Sequence, residues 1–128
     1  MISLASIVPP RTHRGQATVE TALVLPVVVI MVLVVLQAGL VVRDRVLVVH
    51  AARAAARAVV VRPDAGAARA AVDRVEPGRF TVSVGGDLSA GGLASVTVRS
   101  RATRVPWVGA AVAGIRLEER MVVRVEGP

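Results

Sequence analysis

Glu20 is the residue whose position asks for chemistry. It stands in Val19-Glu20-Thr21-Ala22-Leu23-Val24-Leu25-Pro26, at the mouth of an uncharged apolar run from Ala22 to Val42. A lone carboxylate at the edge of lipid is costly, and it calls for a cationic partner or a role. At a helix N-terminus it also meets the positive end of the macrodipole. Gly15 lies five residues earlier, behind a short basic stretch with Arg11, His13 and Arg14. Beyond these residues the chain is poor in reactive groups. It has no HExxH and no Walker-type phosphate loop, and Gly85-Gly86 and Gly91-Gly92 read as turns. Glu118 and Glu119 are adjacent, so on a strand they face opposite sides and do not act together. The two histidines are His13 and His50, and His50 has no ligand at metal-binding spacing. No cysteine is present, which excludes disulfides, thiolate metal sites and a cysteine nucleophile. The reading is therefore no enzyme, no cofactor and no metal.

The element that positions Glu20 is a membrane-length helix. Hydrophobic residues make up 54% of the 128 positions, and mean hydropathy is +0.64. The run from Ala22 to Val42 would rise about 31 Å as a helix, against a hydrocarbon core of about 30 Å. Its backbone hydrogen bonds would close internally, so it can span alone. Pro26 frees the carbonyl of Ala22 and is expected to kink or loosen the helix. Gln37 and Gly39 interrupt the run, and Gly39 forms no GxxxG pair. The run is longer than the core of a signal peptide, and cleavage near Ala38 would place Leu36 where a small residue belongs.

Helical character continues from Arg43 to Val61, rich in Ala and Arg, and stops before Pro63. Val46, Val49, Arg53 and Arg57 read as one face, and Leu47, Ala51, Ala54 and Ala58 as another that permits close helix approach. Asp64 is placed to N-cap a short second helix closed by Pro77-Gly78. Three extended segments follow: 79–84, 93–105 and 118–126. They suggest a small antiparallel sheet packed on the outer half of the long helix, with Val82, Val84, Val96, Val98, Met121, Val123 and Val125 inward. Phe80 is expected in that core; Trp107 belongs either there or at the membrane surface. The predicted fold is α+β and membrane-anchored: a long N-terminal transmembrane and stalk helix, a short second helix and a three-stranded antiparallel sheet. The core is thin, and marginal stability away from partners is expected.

The segment from Arg14 to Pro26, RGQATVETALVLP, resembles the processing site of type IV prepilins. Its VETALVLP wording more closely resembles the TadE/TadG family of minor pilins, or pseudopilins, of tight-adherence (Flp) pilus systems, over residues 14–60. This resemblance implies a pilin-like layout: leader 1–15, transmembrane helix 16–42, helix extension 43–62, and a small extracytoplasmic α+β domain at 63–128. It implies a processing site at Gly15 and Gln16, where a prepilin peptidase cuts on the cytoplasmic side. Gly15, lacking a side chain, suits an extended backbone in a narrow protease cleft. Gln16 would become the new amino terminus, with Glu20 about one helical turn away. The resemblance makes Glu20 an assembly carboxylate that pairs with the amine of a neighbouring subunit, and makes the helix-kinking Pro26 expected. The implied partners are other pilin or pseudopilin subunits, the assembly platform, prepilin peptidase and the lipid bilayer. The implied location is the cytoplasmic (inner) membrane, single-pass, with the N-terminus inside and the C-terminal domain outside.

Charge gives a competing topology. The formal net charge is +7, and all 16 basic residues are Arg. Arg43, Arg45, Arg53 and Arg57 follow the span, and a count of flanking basic residues would keep that side in the cytoplasm. The alternative function is thus a single-span protein with a basic cytoplasmic module that binds anionic lipid or nucleic acid. Aromatics are only 2%, so a stacking platform for bases is lacking and no nucleic-acid partner is expected.

Overall fold

The computed structural model describes residues 13–126. Residues 1–12 of the expected leader, Arg11 among them, lie outside the described residues. Helix α1 runs from His13 to Val61, unbroken through Pro26. It includes the last residues of the expected leader and ends where Pro63 forbids a further turn. Helix α2 is Ala65–Asp73, capped as expected: the Asp64 carboxylate accepts the N–H of Ala67 at 3.1 Å. The chain then turns through Pro77-Gly78 into three strands, β1 (Thr81–Gly86), β2 (Leu93–Arg101) and β3 (Arg116–Arg124). They form an antiparallel meander in the order β1-β2-β3.

The sheet lays one face across the outer half of α1, with β2 and β3 on α1 and β1 beside α2. Strand alternation decides what is buried. Ala94, Val96, Val98 and Ser100 of β2 point inward, while Ser95, Thr97, Arg99 and Arg101 point outward. Val82, Leu117 and Val125 complete the buried set, and Val84, Met121 and Val123 pack against it half-covered. The inward residues expected from sequence are therefore found, with Ala94 and Leu117 added.

On α1 the buried stripe is Val48, Ala51, Ala52, Ala55, Ala56 and Val59. This differs from both faces read off the sequence: Val46 is exposed, and Ala54 and Ala58 only flank the contact. Two consecutive turns bury paired alanines, Ala51-Ala52 and Ala55-Ala56, because the sheet and α2 approach from two sides, so the stripe is wider than one row. The small-residue face receives this chain's own sheet and second helix. Strand β2 also stops at Arg101, four residues short of expectation. Beyond it Thr103 and Val105 turn their main-chain groups to α1 instead.

From Thr18 to Leu36 every residue except Leu33 is exposed. That stretch of helix rises about 28 Å, close to the hydrocarbon thickness, and beyond Glu20 and the threonines at its start its exposed residues are Val, Leu, Ile, Met, Ala22 and Pro26. The head, residues 63–126, thus stands at one end of a bare apolar rod. Phe80 is half-buried against the core, with the Arg79 guanidinium 6.0 Å over its ring. Trp107 is outside the core at 90% exposure.

The alanine stripe sets the distance between rod and sheet. Replacing Ala52 or Ala55, both fully covered, by Leu should overpack that seam and cost about 1–3 kcal/mol. Thermal unfolding of the detergent-solubilised chain, followed by circular dichroism, checks this against Ala54→Leu, which should cost less.

Candidate functional site

Two sets of polar residues stand on α1, at opposite ends of the exposed apolar stretch. The first is the set expected from sequence. Gly15, Gln16, Glu20 and Pro26 all lie on α1, and Gly15 and Gln16 are already helical. Gln16 and Glu20 are one turn apart along the rod. Glu20 is exposed at the start of the apolar stretch. Pro26 sits a turn and a half further on, where the carbonyl of Ala22 loses its usual donor.

The second set joins rod to head, and sequence reasoning missed it. Gln37 is 5% exposed, although the turn before it is bare. Its amide group pairs with the main chain as a strand would. Nε2 donates to the carbonyl of Thr103 at 2.8 Å, and Oε1 accepts the N–H of Val105 at 2.7 Å. Two helical turns later, on the same side of α1, Asp44 is completely buried. Its carboxylate accepts the main-chain N–H of Thr103 and a guanidinium N–H of Arg79. Arg79 also donates to Thr103 Oγ1 at 3.1 Å and to the Glu76 carboxylate at 3.0 Å.

This arrangement explains why a charge can lie inside so thin a core. Burial pushes the Asp44 carboxyl up, but bonds from Thr103 and the Arg79 guanidinium outweigh it and hold the group below its ordinary value. Burial works against the Arg79 cation too, and bonds to Glu76 and Asp44 raise it overall. No buried side-chain polar atom among the described residues is left without a partner. The pairing also answers part of the charge conflict at the flank. Asp44 carries Arg79, and Arg45 reaches Glu119 at 2.8 Å and the Glu118 carbonyl at 2.7 Å. Glu118 turns to the other side of β3 and holds Arg99 at 2.7 Å, so the adjacent glutamates do face opposite ways.

The one signal available in the sequence was spacing. Gln37 and Asp44 are seven apart, hence on one side of a helix; Gln37 is polar between apolar neighbours, and Asp44 is an acid between Arg43 and Arg45. Apart from the Arg79 guanidinium, their partners are main-chain atoms of Thr103 and Val105, which no residue type announces.

With rod, rim carboxylate and clamp in place, the chain can be compared with known families. Residues 15–57 match the family model of TadE-like proteins. The chain carries a TadE-like segment. That segment begins at Gly15, includes Glu20, Pro26, Gln37 and Asp44, and ends within the alanine stripe. It leaves α2 and the whole sheet unmatched. TadE-like proteins are associated with tight-adherence pili and are a structural family. No curated protein and no solved structure matches the chain. Among the described residues no cluster of His, Cys, Asp or Glu could hold a metal ion.

The clamp gives two expected outcomes. Arg79→Met leaves the buried Asp44 charge without its cation and should cost about 3–5 kcal/mol, against much less for Asp44→Asn, which keeps an acceptor for the Thr103 N–H. Because the folded Asp44 value is lowered, its stabilisation is present above the unfolded value of about 3.9 and is lost as pH falls through the lowered one. Melting temperature should therefore hold from neutral to mildly acid pH and fall below about 4. Asp44→Asn should flatten that acid limb. Gln37→Leu should keep membrane insertion, yet speed amide exchange at Val105, whose N–H loses its acceptor.

Proposed function

We propose that this chain is a minor pilin or pseudopilin of a tight-adherence pilus, or of a related secretion machine, with a structural role. In this reading it is held in the cytoplasmic membrane by the exposed stretch of α1, N-terminus inside and head outside. The observation that carries the reading is the conjunction of a TadE-like match starting at Gly15 with a rod bare from Thr18 to Leu36 and a folded head beyond it.

The chemistry follows from the rim. Prepilin peptidase cleaves after Gly15, and the first turn of α1 must open to present an extended peptide. The new Gln16 amine then lies one turn from Glu20. Within one subunit that pair lies along the rod; between subunits the amine of one rod can meet the carboxylate of the next at the lipid edge, a contact that sets stagger. Other pilus subunits and the assembly platform are the partners. A rod with so wide an apolar surface favours lateral packing with similar rods by close contact.

A second reading draws on the outer face of the sheet, where Arg99, Arg101, Arg116, Arg120 and Arg124 are exposed. In it the head is a cytoplasmic module that meets anionic lipid or nucleic acid. Reporter fusions at the C-terminus separate the two, since the pilin reading requires an exported head.

Mass measurement of the native N-terminus tests the processing step: a chain starting at Gln16 in cells with active peptidase is expected, and an intact Met1 there would sink it. Glu20→Ala should leave insertion and processing unchanged while reducing incorporation into pili, read by pulldown with the other pilus subunits.

A further inference from the structure

We propose that the loop from Val105 to Ile115 is a second membrane contact, seated in the phospholipid interface beside α1, with Arg101 and Arg116 above it on the lipid phosphates. The inference rests on α1 spanning a bilayer, and it holds whichever side the head occupies.

Three observations converge on this surface. First, the loop contains no charged residue, and its main apolar side chains do not enter the core. Instead it folds toward the rod: Val108 and Val112, from the loop and its 3₁₀ turn Gly109–Val112, line an almost wholly apolar groove of about 450 Å³ together with Val34, Ala38, Val41 and Val42 of α1. The groove is therefore continuous with the bare apolar rod. Whatever solvent surrounds Val34 also reaches the loop.

Second, Trp107 stands at the loop's tip, 90% exposed, with φ +71°. A left-handed backbone is unfavourable for a bulky residue. A fully wetted indole adds a second cost, and nothing in the head compensates for either. An interfacial bilayer position does, because tryptophan concentrates where its ring meets acyl chains and its N–H meets headgroups.

Third, Arg101 and Arg116 are directly opposed across β2 and β3, at the end of the sheet nearest the loop. Like charges in that register repel. The next pair along, Arg99 and Glu118, forms a salt bridge. Arg101 and Arg116 form no ion pair among the described residues, and neither does Arg104. They lie just above the loop, where the phosphates of a leaflet would sit if the loop rests in its interface. A phosphate accepts from two guanidinium groups at once and converts the repulsion into a clamp.

The experiment uses the full chain in phosphatidylglycerol-containing vesicles. Trp107 is the sole tryptophan, so its fluorescence reports the loop without labelling. Expected are emission to the blue of free tryptophan amide, several-fold weaker quenching by acrylamide, and stronger quenching by shallow than by deep nitroxide lipids. The double variant R101Q/R116Q should lose most of the shallow quenching gained on going from phosphatidylcholine to phosphatidylglycerol; an unchanged gain would overturn the phosphate contact. Since the chain lacks cysteine, a label on Val29→Cys reports the span separately. A shielded Val29 label with an acrylamide-accessible, lipid-unquenched Trp107 would overturn the loop contact while leaving the spanning rod intact. A water-exposed Val29 label would overturn the spanning reading, and the inference with it.

Discussion

The head holds its place through a buried carboxylate. Asp44 lies on the rod with no access to water, and a charge in that position is tolerable only while Arg79 and Thr103 are on it. Arg79 comes from the turn after α2, and Thr103 from the segment after β2. One anion therefore ties the second helix, the central strand and the rod together. Gln37 repeats the device two turns nearer the apolar stretch with a neutral amide. A small head with no disulfide and few large side chains gains from such pairing a defined position, which its valine and alanine core alone would specify poorly.

The clamp also fixes where the bare rod ends. The uncharged run reaches Val42, yet Gln37 is buried against the head, and the loop beside it lines a groove with Val34, Ala38, Val41 and Val42. The head thus sits lower on the helix than hydropathy alone places it, and of the run that begins at Ala22 only about 22 Å precedes Gln37. This brings the basic end of the sheet close to the apolar stretch. The arginines after the span are consequently not one positive patch: Arg45 is matched by Glu119, the charge of Arg79 is absorbed by Asp44 and Glu76, and Arg101 and Arg116 are left facing outward.

Much of this architecture was legible in the residues. The apolar run, Pro63, the Asp64 cap and the alternation in Thr81–Val84 and Ser95–Arg99 announce rod, second helix and sheet through local rules. The VETALVLP wording likewise pointed to the family whose model matches residues 15–57. The alanine stripe was misassigned because its breadth depends on two elements arriving together, which periodicity in one helix does not encode. The end of β2 was placed too late for a related reason. Ala102 to Val105 has strand-like residues, but the main-chain groups of Thr103 and Val105 pair with Gln37 and Asp44 instead of forming further rungs of the ladder. Trp107 could be assigned only once the path of its loop was known.

The rod reads the head largely through main-chain atoms. Gln37 touches a carbonyl and an N–H, and Asp44 takes a second N–H. Position 105 can then change identity freely, proline excepted, without loosening the joint. The rod's own two polar residues have no such latitude. Heads of dissimilar sequence could be grafted onto the same stalk, provided each offers an extended stretch of backbone at that height, which fits a family signature that stops partway along α1.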